Sequence, residues 1–221
     1  MKIFEKVKFE NGRRRIYFFG KRIFSYKRET QHQIKPSLLA NKYLIGLRGI
    51  EIGGATYNQF YLNTLNIDFT DNQTVWNPET KKGSNGRNNV DIVAYGDDLP
   101  FKDETWDFVI NSHVIEHFWD PIKALKEWYR VVKPGGYIFL IVPHKERTFD
   151  KNRERTTLKE LIDRHNGIGV DPGVDPEVNA HHSVWITEDF LELCNYLNFN
   201  VVEYQDVDDK IGNGFTIVIQ K

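Results

Sequence analysis

The sequence predicts an α/β protein built on one doubly wound sheet, and three observations support that prediction. From residue 47 onward, short apolar segments alternate with segments of helical pattern. The apolar segments are continuous, which is typical of parallel strands that helices cover on both faces. The last two apolar segments, 200–207 and 214–221, are joined by a short polar stretch and predict an antiparallel hairpin at the end of the sheet.

The composition fits a single folded domain of ordinary size. Of the 221 residues, 40% are hydrophobic and 14% aromatic, which is enough apolar material to exclude a wholly disordered chain. No apolar run approaches the ~18 residues of a membrane span, and the first residues are charged where a secretion signal is apolar. The single cysteine, Cys194, excludes an internal disulfide and fits a reducing compartment. We therefore expect a cytoplasmic protein with Cys194 in its core.

The first 28 residues predict a small basic β-meander, followed by a main domain over 29–221. Residues 6–26 contain three strand-like runs, and Asn11-Gly12 favours a tight hairpin turn between the first two. Residues 1–28 hold ten basic residues against two acidic ones, although the whole chain has a net charge of −1. Such an arm predicts contact with phosphate, an acidic glycan or a membrane surface. A solvated strand face or a dimer contact is the alternative, and the oligomeric state stays open.

The elements of the main domain begin with a helix from about Pro36, a residue that suits the first turn. Five buried strands follow, each predicted from a continuous apolar run: 48–54, 65–69, 89–95, 106–112 and 137–143. A helix lies between the last two of these strands. Asp120 can cap it, Pro121 suits its first position, and Pro134-Gly135-Gly136 ends it.

Two further segments complete the main domain. Residues 144–183 are polar, irregular and rich in histidine, so we expect a functional region there and assign 144–185 to the substrate side. Thr187 is predicted to cap a last helix, 187–199, with Glu188 and Asp189 at its positive end. The terminal hairpin then completes a sheet of about seven strands.

The sequence predicts a ligand site at the carboxyl ends of the strands, where open α/β sheets bind their ligands. The first strand runs into Gly53 and Gly54, which allow the backbone to approach a ligand, and Glu51 lies beside them. Asp68 ends the second strand, where a carboxylate can accept both hydroxyls of a ribose. Asp71 competes for that role, and a purely turn-forming Asp68 is the alternative.

A third group of candidate ligand residues follows the next strand. Asp97 and Asp98 precede Leu99 in Gly-Asp-Asp-Leu-Pro-Phe. A carboxylate at this position can accept a hydrogen bond from the exocyclic amine of adenine, while Leu99 offers the ring an apolar surface. Which of the two aspartates takes the role stays open.

Four motifs in this order resemble the class I S-adenosylmethionine-dependent methyltransferases: Glu-Ile-Gly-Gly at 51–54, Asp68 at a strand end, Gly-Asp-Asp-Leu-Pro-Phe at 96–101, and the stretch 106–143. The nearest subgroup is the set related to ubiquinone-pathway methyltransferases. The resemblance covers about residues 45–143, and 186–221 more loosely. It implies a Rossmann-like sheet, S-adenosylmethionine as the cofactor and methyl transfer as the reaction.

The resemblance also implies a role for each strand-end residue. Glu51 would organise water and the methionine ammonium, and Gly53 and Gly54 would pack against the methionine and ribose part. Asp68 would hold the ribose hydroxyls, and the backbone carbonyl of Asn111 would face the ammonium. On the adenine side, Asp97 (or Asp98) would bind the amine, with Leu99 beside the ring.

The chain departs from the family pattern at the glycine-rich turn. The family has Gly-x-Gly-x-Gly, whereas this chain has Gly-Gly-Ala-Thr-Tyr-Asn at 53–58. The separation between Glu51 and Asp68 is short for a full helix and a strand. We therefore expect the first helix to be shortened or replaced by the loop 57–64.

A general base for methyl transfer to a hydroxyl is expected among five histidines near the strand ends. The leading candidates are His144, directly after the fifth strand, and His113, directly after the fourth, with His182 as a further candidate. Glu116-His117 is predicted to cap and pack the following helix.

We expect no metal, and the alternative stays open. Residues 113–117 form the pattern His-x-x-Glu-His, which matches an inverted zinc-peptidase motif, although peptidase chemistry does not fit the surrounding methyltransferase-like framework. Some O-methyltransferases hold a divalent ion with a Glu-His pair here and one more histidine. His181 or His182 would supply that third ligand.

The acceptor is predicted from the segments outside the sheet. Residues 1–45 and 144–185 carry basic and aromatic side chains, which suit an anionic or sugar-phosphate acceptor. Residues 13–28 also resemble amino-terminal stretches of enzymes in bacterial surface-polysaccharide assembly, which favours O-methylation of a sugar, nucleotide sugar or glycan substituent. A small quinone-type metabolite, RNA and a non-catalytic binding module are the alternatives. A pI near 6.7 argues against RNA, and we expect no DNA partner.

Overall fold

The computed structural model describes residues 36–54, 60–71, 90–172 and 181–221, together with the backbone of three strands before them. The chain divides into two compact units, Met1–Gln33 and Ile34–Lys221. This division lies five residues beyond the boundary placed at 28/29 from the sequence.

The first unit contains a three-stranded antiparallel sheet in the order β1-β2-β3. Its strands are β1 (Phe4–Lys8), β2 (Arg13–Phe18) and β3 (Lys21–Lys27). The meander predicted over residues 6–26 is therefore confirmed. The turn predicted at Asn11-Gly12 lies outside the described residues.

The second unit is built on a seven-stranded mixed sheet, which confirms the predicted fold class. Its strands are β4 (Arg48–Ile52), β5 (Asn63–Asp68), β6 (Ile92–Val93), β7 (Trp106–Ser112), β8 (Val132–Pro143), β9 (Asn200–Gln205) and β10 (Gly214–Gln220). Their order in the sheet is β6-β5-β4-β7-β8-β10-β9. The first five are parallel, and β10 runs antiparallel to both β8 and β9. The predicted terminal hairpin thus closes one side of the sheet.

The strand order reverses between β4 and β7, because the chain proceeds outward from β4 to β5 and β6 and then returns to β7 on the other side. The two strands pair in parallel, with Ile52 opposite Asn111 near their carboxyl ends. A crevice forms at such a reversal, since the connections leave the two strand ends in opposite directions. This fold feature fixes where the candidate site lies.

In the described part of the chain, four α-helices accompany the sheet: α1 (Leu38–Leu44), α2 (Pro121–Val131), α3 (Leu158–His165) and α4 (Thr187–Tyr196). Asp120 caps α2 as predicted, accepting a hydrogen bond from the Lys123 amide at 2.9 Å. The helix expected from Pro36 begins instead at Leu38, because the Ser37 side chain accepts from the Ala40 amide and caps it.

Two other predictions about helices were wrong in detail. Thr187 is the first residue of α4 and not its cap; its hydroxyl donates to Asp206, while Asp189 accepts from the Ile186 amide at 3.1 Å. The segment predicted as irregular contains α3, which begins with a reciprocal capping box between Thr157 and Glu160. This box was a sequence signal that we missed.

The core lies on both faces of the sheet, and alternate residues of each central strand face opposite sides. Val109 of β7 belongs to the larger cluster, which includes Trp128 of α2 and Leu193 of α4, whereas Phe108 and Ile110 belong to the smaller cluster against α1. Cys194 is fully buried, as predicted, and burial raises the pKa of its thiol to about 12. None of the helices in the described residues is long and apolar enough to cross a membrane.

Candidate active site at the carboxyl ends of the strands

The turn after β4 is made by two glycines that leave no room for a side chain. Gly53 has a φ of +71°, and a Cβ there would lie 2.6 Å from Cγ2 of Val114. A Cβ on Gly54 would lie 2.8 Å from Oδ1 of Asn66 and 2.9 Å from Cγ of Glu51. Backbone groups are therefore the only ones that this turn can present to a ligand. Residues 55–59, which follow, lie outside the described residues.

The expected shortening of the first helix, or its replacement by the loop 57–64, is tested only in part, and residues 63–64 belong to β5. Residues 60–62 are irregular, and β5 begins directly afterwards at Asn63. The remaining part of the predicted loop, 57–59, lies outside the described residues.

Glu51 is a carboxyl group enclosed by the protein at the end of β4. Burial raises its pKa to about 8, and the nearby Lys210 ammonium only partly offsets that effect. Among the described residues, no donor reaches its Oε1. A cationic group that entered the crevice would supply the missing partner and would stabilise the ionised carboxylate. The residue therefore fits the ammonium of an amino acid, as the resemblance implies.

Asp68 lies at the carboxyl end of β5. Because β5 pairs in parallel with β4, this end lies at the same edge of the sheet as Glu51. Asp68 is buried, and its Oδ1 accepts a hydrogen bond from the Phe69 amide at 2.8 Å. The competing Asp71 is exposed. The segment after it, residues 72–89, lies outside the described residues, so the ribose role of Asp68 stays a prediction.

Asn111 lies at the end of β7, next to β4 across the reversal. Its side chain is fully buried, and neither its Oδ1 nor its Nδ2 has a hydrogen-bond partner among the described residues. Such a carboxamide costs about 1–3 kcal/mol unless a partner arrives. Sequence reasoning assigned a role to the backbone carbonyl of Asn111 and missed this side chain. The carbonyl contact with an ammonium stays a prediction.

The three residues predicted on the adenine side have different environments. Asp97 is half-buried and forms an ion pair with Nζ of Lys123 at 2.9 Å, whereas Asp98 is exposed. Leu99 is buried in the larger core cluster, and its amide donates to Oε1 of Glu127 at 2.7 Å. Much of the apolar surface of Leu99, which we expected to face adenine, therefore packs against the core. The roles of all three stay predictions.

His144 is held in a capping arrangement. The residue is 7% exposed, and its Nδ1 accepts from the Glu146 amide at 3.1 Å, which caps the 3₁₀ turn Lys145–Arg147. This contact occupies the lone pair that a general base needs. The catalytic role of His144 stays a prediction, but the geometry favours a structural role.

His113 occupies a strained position directly after β7. Its φ is +55°, a conformation that few residues other than glycine adopt and that is enriched at functional sites. Burial lowers the pKa of its imidazole, so the ring is neutral near pH 7. Because the neutral form carries a lone pair, His113 fits a general base better than His144 does.

The structure brings two more of the five histidines close to Glu116. Glu116 is 0% exposed, and its Oε1 lies 3.6 Å from Nε2 of His117 and 3.8 Å from Nε2 of His181. Burial raises the pKa of the Glu116 carboxyl to about 8. We call Glu116, His117 and His181 the Glu-His cluster. The ring of the remaining candidate, His182, instead packs against Trp119.

Asp150 contacts the Glu-His cluster and was not predicted from the sequence. Its Oδ2 lies 2.5 Å from Nδ1 of His181, and its Oδ1 accepts from Arg153 at 2.7 Å. His181 and Asp150 are 31 positions apart in the chain, so no local sequence pattern predicts their contact. Only the fold of the segment after β8 reveals it.

Residues 52–140 match the model of a family described as "Methyltransferase domain". An uncharacterised protein from Methanocaldococcus jannaschii is 32% identical over 51% of this chain and 52% of its own length. A 2-methyl-6-phytyl-1,4-hydroquinone methyltransferase from rice is 33% identical over 47% of this chain and 33% of its own. A ubiquinone/menaquinone biosynthesis C-methyltransferase from Haemophilus ducreyi is 41% identical over 27% and 22%. The chain thus spans about half the length, or less, of these curated relatives.

Solved structures share the fold at low sequence identity. A SAM-dependent methyltransferase from Methanosarcina mazei has a TM-score of 0.52 at 21% identity, covering 83% of this chain and 97% of its own. The [4+2]-cyclase SpnF has a TM-score of 0.51 at 16% identity, covering 83% and 79%. At these identities the likeness shows the fold alone, and proteins with two different named activities share it.

Proposed function

We propose that this chain, whose residues 52–140 form a methyltransferase domain, transfers the methyl group of S-adenosylmethionine to an acceptor. The observation that supports this most is the buried Glu51, whose Oε1 has no hydrogen-bond partner among the described residues, beside the closely packed Gly53-Gly54 turn. The turn lies where the strand order reverses, which is the binding crevice of such sheets.

Each strand end contributes to holding the cofactor in this proposal. Glu51 takes the methionine ammonium, the Gly53-Gly54 backbone approaches the methionine and ribose, and Asp68 takes the ribose hydroxyls. When bound, S-adenosylmethionine supplies an electrophilic methyl group on its sulfonium. His113, in its neutral form, takes the proton that an acceptor hydroxyl releases.

The first candidate acceptor is a sugar, a nucleotide sugar or a glycan substituent in surface-polysaccharide synthesis. The basic residues of 1–28 support it, because they favour contact with an anionic partner or a membrane surface. The basic residues after β8 support this acceptor less than the sequence predicts. Lys145, Arg147, Arg153 and Arg155 each pair with a carboxylate of this chain.

The second candidate acceptor is a small quinol-type metabolite. Two curated relatives are named as methyltransferases of hydroquinone or quinone biosynthesis. An apolar acceptor needs no free cations, which fits the pairing of Lys145, Arg147, Arg153 and Arg155 with carboxylates of this chain.

The two candidates are separated by measuring S-adenosylhomocysteine formation by the full chain with two acceptor panels, nucleotide sugars and short-chain hydroquinones. Turnover with nucleotide sugars alone supports the first proposal, and turnover with hydroquinones alone supports the second. Product formed only with RNA, offered as a third acceptor in the same assay, would replace both. No product with any panel, from protein that binds the cofactor, would contradict both acceptor proposals and favour the non-catalytic module.

A further inference from the structure

The connection between β9 and β10, residues 206–213, lies at the same edge of the sheet as the candidate active site. We call it the β9–β10 loop. Gly214, the first residue of β10, pairs with Pro143, the last residue of β8. Because β8 is parallel to β7, the carboxyl ends of both strands lie at this edge. The loop therefore ends at the edge of the sheet where His113 directly follows β7.

Asp208 fixes the backbone of the β9–β10 loop. It is 3% exposed. Its two carboxylate oxygens accept backbone hydrogen bonds at 2.6–3.0 Å from the amides of Lys210, Ile211, Gly212 and Gly214. Bonds from amides to a charged carboxylate are strong, and these lie on both sides of Asn213. The carbonyl of Asn213 also accepts from the His144 amide at 3.1 Å, which ties the loop to the end of β8.

The side chain of Asn213 reaches the imidazole of His113. Burial lowers the pKa of this imidazole, while the Asp208 charge and a hydrogen bond with the Asn213 side chain raise it. An amide raises a histidine pKa when its oxygen accepts from a ring N–H, because that bond favours the protonated ring. Nε2 of His113 and Oδ1 of Asn213 are both buried, and neither has a well-aligned hydrogen bond with any described residue. The two atoms are thus close but imperfectly aligned, as catalytic hydrogen bonds often are before a substrate binds.

The other ring nitrogen of His113 lies on the more open side of the ring. The side chain is 23% exposed although Nε2 is buried, so its exposed part lies away from Nε2. Nδ1 is 3.9 Å from Oε1 of Glu116, which is too far for a hydrogen bond. A proton on Nε2 therefore leaves a lone pair on Nδ1, where an acceptor hydroxyl can reach it. The titratable groups around the ring are Asp208, Glu116 and His181.

We propose that Asn213 is a positioning residue for His113: its side-chain oxygen accepts the Nε2 proton and so keeps the Nδ1 lone pair available as the base. The hydrogen bond at one ring nitrogen decides which tautomer a histidine adopts. The acceptor oxygen then gives its proton to Nδ1 as it bonds to the methyl carbon, and the electrons of the carbon–sulfur bond leave with the sulfur. Asn213 and the Asp208 charge stabilise the resulting imidazolium. The catalytic consequence rests on the proposed methyl transfer, whereas the tautomer does not.

The test is nitrogen-15 NMR of the full chain with labelled histidine at about pH 8, above the ordinary histidine pKa. The His113 signals are identified by their loss in His113→Asn. We expect the parent to carry the proton on Nε2 and none on Nδ1. Asn213→Ala should shift the population toward the form protonated on Nδ1, because a buried Nε2–H would lose its acceptor. Asn213→Asp retains an acceptor oxygen and should retain the parent tautomer.

Asn200→Ala is the matched control, because Asn200 is exposed and begins β9 at the other end of the hairpin. Its His113 signals should match those of the parent. Turnover is measured on the same proteins with the acceptor that the panels identify. Asn213→Ala should lower kcat about tenfold or more at unchanged cofactor affinity, and Asn213→Asp should restore much of that loss.

Equal tautomer populations in Asn213→Ala and the parent would overturn the proposal, as would an unchanged kcat in a variant whose tautomer has shifted. A parent proton on Nδ1 would overturn it as well, and this result does not depend on the folding of any Asn213 variant. A parent that transfers no methyl group would contradict the proposed function alone. The tautomer is still decided in that case, because its measurement needs neither cofactor nor acceptor.

Discussion

Glu51 is enclosed by protein at the end of β4, and its raised pKa of about 8 has a consequence for stability. Between about pH 4.5 and 8 the folded protein keeps a proton on this carboxyl that the unfolded chain has lost. The folded state therefore binds more protons, and the free energy of unfolding should fall as the pH rises through this window. One such proton accounts for at most about 1.4 kcal/mol per pH unit.

Glu51→Gln should remove this contribution, because glutamine has the same shape and does not titrate. We expect the variant to lose less stability than the parent between pH 5 and pH 8. The measurement is urea unfolding of both proteins at several pH values without cofactor. Parallel stability profiles would show that Glu51 titrates normally and that the carboxyl is not enclosed.

Asp68 and Asp71 compete for the ribose, and the structure separates them by burial, since Asp68 is buried and Asp71 exposed. Asp68→Ala should weaken cofactor binding by about 1.5–3 kcal/mol, the range for a lost hydrogen bond to a charged group. Asp71→Ala, its matched control, should change little. Calorimetric titration of both variants, with circular dichroism as the folding check, makes the comparison. The reverse ranking would move the ribose role to Asp71.

His113 should be needed for turnover and not for cofactor affinity. Asparagine is the suitable replacement, because it tolerates the left-handed backbone at this position and cannot act as a base. We expect His113→Asn to lower turnover about 10²-fold, measured with the acceptor that the panels identify. His182→Asn serves as the control. Full activity in the His113 variant would remove this histidine from the mechanism.

At the scale of elements, a local capping rule explains where α2 begins. A contact between residues distant in sequence then links α2 to α3. Asp120 accepts from the Lys123 amide with one oxygen, and its other oxygen lies 2.8 Å from Nδ1 of His165 at the end of α3. One cap therefore links two helices. The sequence predicted the first contact and not the second.

Asp120→Ala should destabilise the protein by about 1 kcal/mol through the lost cap, within a range of about 0.5–2 kcal/mol. The lost contact with His165 should place the value in the upper part of that range. A His165→Gln variant measures the second contact by itself. Denaturant unfolding of the two single variants and the double variant checks this, and an Asp120→Ala change without effect would contradict the capping role.

The elements also show why some predictions were wrong. Continuous apolar runs fixed the five parallel strands, because strands buried on both faces have few alternatives. Helix α3 was missed within a polar segment, although its Thr157–Glu160 box is a local signal. The acidic first turn after Thr187 predicts a cap at this residue, but in the folded chain its hydroxyl contacts Asp206.

At the scale of the whole molecule, the strand order makes the candidate site predictable. The glycine turn, Glu51 and Asp68 follow from knowing where parallel strands end and where their order reverses, whereas Asn111 was predicted from the family resemblance. The sequence left His181 and His182 open as the third member of the Glu-His cluster and did not predict Asp150, because this part of the cluster comes from the long segment after β8. Contacts between such distant positions depend on tertiary packing, which no short pattern encodes.

The fold by itself leaves the reaction open, because proteins named as a methyltransferase and as a [4+2]-cyclase share it. Binding of the cofactor is therefore the central claim. Its most direct test is calorimetric titration of the folded full chain with S-adenosylmethionine and S-adenosylhomocysteine. We expect one micromolar site for each. A folded protein that binds neither would contradict the proposed function and would leave a methyltransferase fold without its cofactor.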